Sequence, residues 1–226
     1  MAVTKTIVCL ANSRKLSGRC LAGKERSGSV VGPWIRPVSA RSTEEVSERD
    51  RAYKDGSDPR VMDIIDVPLI EPKPKTFQSE NWLLDPQTYW VRRGALPYAQ
   101  LAAVADTPSS LWINGFKTYH GLNDRVPEEE ADKLTASLYL LSLQSISFSV
   151  FAPGAAFGNP KRRVHAEFDY AGASYALWVT DPVIEREYLA RDDGSYAEGA
   201  CHITVSLGER DKGFCYKLVA AVIRQG

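Results

Sequence analysis

Ser13-Arg14-Lys15, Arg19 and the run Trp34-Ile35-Arg36-Pro37 are residues whose types suit a recognisable chemistry. A guanidinium clamps phosphate through a planar fork of donors, an ammonium adds a point charge, and an indole plane stacks a base. Brought onto one sheet face, these side chains would hold a nucleotide or a single strand of nucleic acid. Lys161-Arg162-Arg163, preceded by Asn159-Pro160, forms a second cation cluster suited to tracking a phosphate backbone, with a solvated loop as its plainer use. Arg125, in Asn123-Asp124-Arg125-Val126, is placed to reach across a junction of lobes, while Asn123 or Asp124 caps the helix that follows. Plainer roles compete in the first cluster too. Trp34 and Ile35 suit a core, to which Trp34 is assigned, and Arg36 stays open between a ligand contact and a structural ion pair.

Catalytic patterns are missing from the sequence. It has no Gly-x-Ser-x-Gly elbow, no phosphate-binding glycine loop with Lys-Ser/Thr, and no His-Glu-x-x-His. A site assembled from distant residues would draw on His165 or His202 with Asp181, but a single histidine on a strand is usually a satisfied structural group. Asp181, in Thr180-Asp181-Pro182, reads as the fixing residue of a turn. His120, His165 and His202 are scattered, and Cys9, Cys20, Cys201 and Cys215 form no Cys-x-x-Cys pair. Buried free thiols are therefore expected, with neither a metal nor a cofactor.

The cations matter because of where they fall. The chain has 226 residues and zero formal net charge, yet residues 1–43 hold eight Lys/Arg against one acid, Glu25, which leaves −7 for the other 183. That asymmetry predicts a basic face on an acidic body. With 44% hydrophobic and 25% charged residues the composition is that of a globular protein. The longest apolar stretches, Leu138–Leu141 and Leu218–Ile223, fall far short of the ~20 residues a membrane helix needs, and Met1–Lys5 leads into a strand without an apolar leader. A cytoplasmic protein with no membrane contact is expected.

Short strands must position these groups. Thr6–Ala11, Gly18–Gly23 and Gly28–Pro37 predict a β meander, and Val61–Ile70 a further strand, at an edge or bulge because of Pro68. Ser42-Thr43-Glu44-Glu45 has capping-box spacing for a short helix running towards Tyr53. Tyr98–Ala105 and the segment after Pro127 predict two more short helices. Leu138–Val150, Val164–Tyr170, Tyr175–Val179, the alternation around Ile203, Val205 and Leu207, and Tyr216–Ile223 predict strands; the second and third of these form a hairpin about Ala171-Gly172-Ala173-Ser174. Asn81-Trp82 and Tyr89-Trp90, in an irregular region, suit rings that plug a barrel end. The expected fold is mainly β with short helices, in two small barrels spanning 1–126 and 127–226.

Ile7–Lys15, Gly18-Arg19-Cys20, Trp34–Ser39, Glu80–Leu83, Asn123–Val126, Val179–Pro182, Ser206-Leu207-Gly208 and Tyr216–Ala221, in that order and spacing, resemble the dual OB-containing domain family of bacteria. The resemblance covers nearly the whole chain. It implies two consecutive OB-like barrels, a fold that binds oligonucleotides and oligosaccharides on its second and third strands and adjoining loops. It supplies the fold more firmly than a function. The leading expectation is a nucleic-acid or nucleotide binding module, serving as a sensor in prokaryotic defence or nucleic-acid processing, with single-stranded nucleic acid or a nucleotide as partner. A protein-interaction or scaffold module is the alternative, using exposed β edges and the acidic second half. An enzyme on nucleotides or RNA ends is the third.

Overall fold

The computed structural model describes residues 3–28 and 30–225, so Met1, Ala2, Ser29 and Gly226 lie outside the described residues. The chain forms two units: the part up to Val104 together with Thr135–Ser137, and Ala105–Leu134 together with Leu138 onward. Residues 105–126, grouped by sequence with the first lobe, thus pack in the second. The physical reason is Leu111, which belongs to the second unit's core and whose N–H donates to Tyr175.

In the first unit, β1 (Val3–Lys15), β2 (Gly18–Ser27), β3 (Val30–Val38), β4 (Asp63–Pro72) and β5 (Asn81–Leu84) close into a barrel. The pairings run β1–β2–β3–β5–β4 and back to β1, antiparallel throughout except between β3 and β5. A bulge between Cys9 and Ala11 bends the long first strand, so that it pairs with β2 along one stretch and β4 along another. Gly23 is required at the crowded inside of that bend, where a Cβ would fall 2.1 Å from the Val8 carbonyl oxygen. Alternation turns Ile7, Cys9, Leu21, Ile35, Ile65 and Val67 into one core, closed by Trp90 and Tyr53. Strand β6 (Val91–Ala95) adds to β4.

The helix between β3 and β4 is α1 (Glu48–Arg51), and its capping box uses Ser47 and Asp50 in place of the expected Ser42 and Glu45. Tertiary contacts decide this. Glu44 sits at φ 58° and its carboxylate is held by Lys73 and Lys75, which removes that segment from a helical path. A second short helix, α2 (Leu101–Val104), follows β6.

The second unit repeats the plan. After β7 (Arg125–Pro127) and α3 (Glu128–Ala131), the expected long strand 138–150 divides into β8 (Leu138–Leu143) and β9 (Ile146–Phe151). These serve as the two halves of one bent first strand: β8 pairs with β13 (Cys201–Asp211) and β9 with β10 (Arg163–Tyr170). β11 (Ala173–Val179) pairs in parallel with β14 (Phe214–Ile223), as third and fifth strands did before, and β13 pairs with β14. The expected hairpin forms, with its turn reduced to Ala171-Gly172 because Ala173 and Ser174 pair with Tyr170 and Asp169.

Helix α4 (Pro182–Leu189) and the edge strand β12 (Gly194–Glu198), which pairs with β9, have no counterpart among the expected elements. Asp181 caps α4, its carboxylate accepting from the Val183 and Ile184 N–H groups, with Pro182 in the first turn. By contrast Asp124 does not cap α3. It accepts from the Thr118 N–H and hydroxyl, and Pro127 precedes α3 with no side-chain cap. All four cysteines are free thiols; Cys9, Cys201 and Cys215 are buried and Cys20 half-buried. Among the described residues no helix is long and apolar enough to cross a membrane.

Candidate nucleic-acid interface

The first cation cluster lands on the hairpin tip joining β1 to β2. Arg14 pairs directly across from Arg19 and Lys15 across from Gly18, so the two guanidiniums share one side of the ribbon. Arg14 is exposed; Lys15 and Arg19 are half-buried. Like charges placed directly opposite are unfavourable by themselves. The tip is held firmly: Arg19 and Val46 exchange two backbone hydrogen bonds of 2.9 Å. Gly18 permits that approach, since a Cβ there would fall 2.7 Å from the Val46 oxygen.

The rest of the expected basic face does not form. Ser13 is 6% exposed and its hydroxyl donates to the Cys20 carbonyl. Arg36 is 4% exposed; its guanidinium meets Glu80 at 2.9 Å and donates to Ser137 at 2.8 Å, and Ser137 in turn donates to Glu80. Arg36 is therefore the structural ion pair and not a surface phosphate contact. Lys24, also buried, donates to the Val104 carbonyl and lies 5.5 Å from the Trp34 ring. Trp34 is half-buried beside it instead of entering the core, because Ile35 takes the inward position. Lys5 pairs with Glu25 and Arg41 with Asp50. Four of the eight early cations, Lys5, Lys24, Arg36 and Arg41, are thus engaged by acids or a carbonyl of the same unit.

The second cluster occupies the corresponding connection of the second barrel, between β9 and β10. This loop carries the turn Ala155–Phe157, with the Phe157 ring 91% exposed, and a left-handed Gly158 at φ 77°. Arg162 pins the loop: Nε donates to Asp193 at 2.6 Å and the terminal nitrogens to the Leu189 and Arg191 carbonyls. Lys161 is exposed. Arg163 lies with its guanidinium carbon 3.9 Å from the centre of the Trp178 ring.

That cation–π pair belongs to an aromatic face on the outside of the barrel. Val150, Val164, Leu177 and Val179 point into the core, so Phe151, Arg163 and Trp178 point away from it. His165 sits 4.6 Å from Trp178, and His120 lies 5.3 Å from Phe151. Tyr119, edge-on to His120, is 95% exposed. His165 is buried with Nε2 unbonded, and burial pushes its pKa below the usual imidazole value, partly opposed by Glu167. The face is graded. Phe151 and Arg163 stand opposite each other at the loop end, whereas Glu167 and Asp169 border a 410 Å³ hollow at the other end.

Arg125 joins neither cluster: its guanidinium covers the Phe214 ring at 3.9 Å. Asp181 also accepts from the Val222 N–H, so backbone donors occupy the carboxylate that an acid–base pair with His165 or His202 would need. Phe151, Phe157, His120 and Trp178 are candidate site residues that sequence pattern does not single out. For Trp178 a signal exists, since the alternation through Leu177, Trp178 and Val179 marks that indole as outward-facing.

A five-strand barrel closed in the order 1-2-3-5-4-1 with parallel third and fifth strands is an OB barrel, and this chain contains one in each unit. Residues 5–222 match the model of the dual OB-containing domain, and the chain belongs to that family. No curated protein and no solved structure matches it.

Proposed function

We propose that this chain binds single-stranded nucleic acid at the loop end of its OB barrels, with the main contact on the second. One observation carries this. Two cation clusters almost 150 residues apart in sequence, Arg14-Lys15 with Arg19 and Lys161 with Arg163, occupy the same connection, first strand to second, in two barrels of one topology. OB barrels take oligonucleotides at that connection and the adjoining strand face. In the second barrel the cations adjoin Trp178, Phe151 and the exposed Phe157, which supply planes for stacking bases beside groups for phosphates. The acidic end of the face repels a phosphate backbone and confines the strand to the Arg163 end.

The experiment is a fluorescence-anisotropy titration of labelled DNA and RNA oligonucleotides at several salt concentrations. Trp178→Ala is expected to weaken binding by about 1–3 kcal/mol, the range for one stacked base. Binding unaltered by both Trp178→Ala and Arg163→Ala would remove the second barrel's face from the ligand site.

A further inference from the structure

The first unit carries a separate cleft of about 740 Å³, within the range of small-molecule sites, bordered by the 53–60 loop and strand β6. It lies outside the β1–β2 tip, and none of the residues discussed for nucleic acid lines it. Its chemistry is donor-rich. Lys54, Arg60, Arg92 and Arg93 surround it, all exposed. Lys54 and Arg60 make no side-chain ion pair with any described residue.

The carboxylates at the cleft are already engaged. Asp63, buried at its base, accepts from the Tyr53 hydroxyl at 3.0 Å, the Arg60 N–H at 2.9 Å and Arg92 Nε at 2.6 Å. Asp58 is tied to Arg51, and Asp55 accepts from the N–H and hydroxyl of Ser57. Arg93 is fixed from behind by Asp66.

A second, independent feature points to a ligand. Trp90 lines the cleft, is 1% exposed, and its indole Nε1 has no hydrogen-bond partner. A buried donor of this kind calls for an acceptor, because native proteins rarely leave one unmatched. Fixed arginines, free cations and an unmatched indole N–H together ask for a compact anion with several acceptor oxygens. The Arg92 side chain, anchored by Asp63 through Nε, is held in place for charge-assisted hydrogen bonds.

We infer that this cleft binds a terminal phosphate, a phosphomonoester or diphosphate group, through Arg60, Lys54 and Arg92 with the Trp90 indole as an additional donor. A free nucleotide and the phosphorylated end of a strand present the same group, and the test separates them. The full-length chain, labelled with nitrogen-15, is titrated with inorganic phosphate, ADP, a 5′-phosphorylated hexanucleotide and its 5′-hydroxyl counterpart. The Trp90 indole resonance, assigned by its loss in Trp90→Phe, is followed alongside calorimetric Kd values.

ADP and the phosphorylated oligonucleotide are expected to shift that resonance, and the 5′-hydroxyl oligonucleotide to leave it in place. A response to ADP alone identifies the free nucleotide as the source. Arg60→Ala, at an exposed position, should raise Kd for ADP about tenfold or more while leaving the thermal unfolding midpoint unchanged. Trp178→Ala and Arg163→Ala should leave ADP binding intact, so this site and the oligonucleotide face stand or fall separately. No movement of the Trp90 resonance at about 10 mM of any phosphate probe, or a shift undiminished in Lys54→Ala/Arg60→Ala, overturns the proposal.

Discussion

The two barrels share strand order, pairing sense and the position of a cationic first loop, yet they use the outer face of the second and third strands in opposite ways. In the first barrel the face is covered by its own unit: Ala22 is fully buried, Lys24 reaches the Val104 carbonyl, and Arg36 is sealed between Glu80 and Ser137. In the second, the corresponding strands present Arg163 on Trp178, with Phe151 beside them. Cations therefore mean different things in the two copies. On the first face they are structural charges satisfied by later chain; on the second, Arg163 lies over the half-buried Trp178 ring, where the proposed stacking of bases would take place.

The largest effect that would break this contrast lies at Arg36. Arg36→Ala leaves Glu80 buried with its main counter-charge removed, and should lower the first unit's stability by about 3–5 kcal/mol in urea unfolding, whereas Arg36→Met/Glu80→Met should recover most of the loss. If Arg36→Ala instead abolished oligonucleotide binding at unchanged stability, the first barrel's face would be the ligand face after all.

A smaller effect distinguishes the second unit by pH. Lys217 is 1% exposed, donates to the Ile113 carbonyl and Asn114 Oδ1, and is pushed down to about 7 by burial, partly opposed by Asp124. In the unfolded chain a lysine titrates near 10.4, so between about pH 7 and 10.4 the unfolded state holds the extra proton. Stability of the second unit should consequently rise with pH across that window, at most about 1.4 kcal/mol per pH unit, with the full cost of charging Lys217 present below pH 7. Lys217→Met should flatten the slope, and an unaltered slope in that variant would assign it to another group.

The smallest effect concerns the first barrel's tip. Arg14→Ala/Lys15→Ala should weaken oligonucleotide binding evenly across sequences and reduce the slope of log affinity against log salt by about 1.4, near 0.7 for each phosphate that is no longer neutralised on a single strand. An unchanged slope would show that only the second barrel touches the backbone.

Much of the fold was legible because strands announce themselves through alternation over a few residues. The 163–179 hairpin, the opening meander and the presence of β-rich segments in both halves of the chain all follow from period-two patterns and turn residues. Weaker local signals yielded to distant partners. Ser42-Thr43-Glu44-Glu45 has the right spacing for a cap, but Glu44 is claimed by Lys73 and Lys75, and the helix starts further along the chain, at Glu48. Segment 105–126 reads as part of the first half until Leu111 finds its core in the second.

The candidate site divides in the same manner. Arg14, Lys15, Arg19, Lys161 and Arg163 fall on barrel loops or strand ends, Arg163 over the Trp178 ring, and Ser13, Arg36 and Arg162 are tied to the Cys20 carbonyl, Glu80 and Asp193. By itself, the order of residues determined which segments extend, where they turn, and that cations cluster at two places. Tertiary structure alone decided which of those charges face water, because burial and pairing depend on groups such as Glu80, Ser137 and Asp193 that fold in from far along the chain.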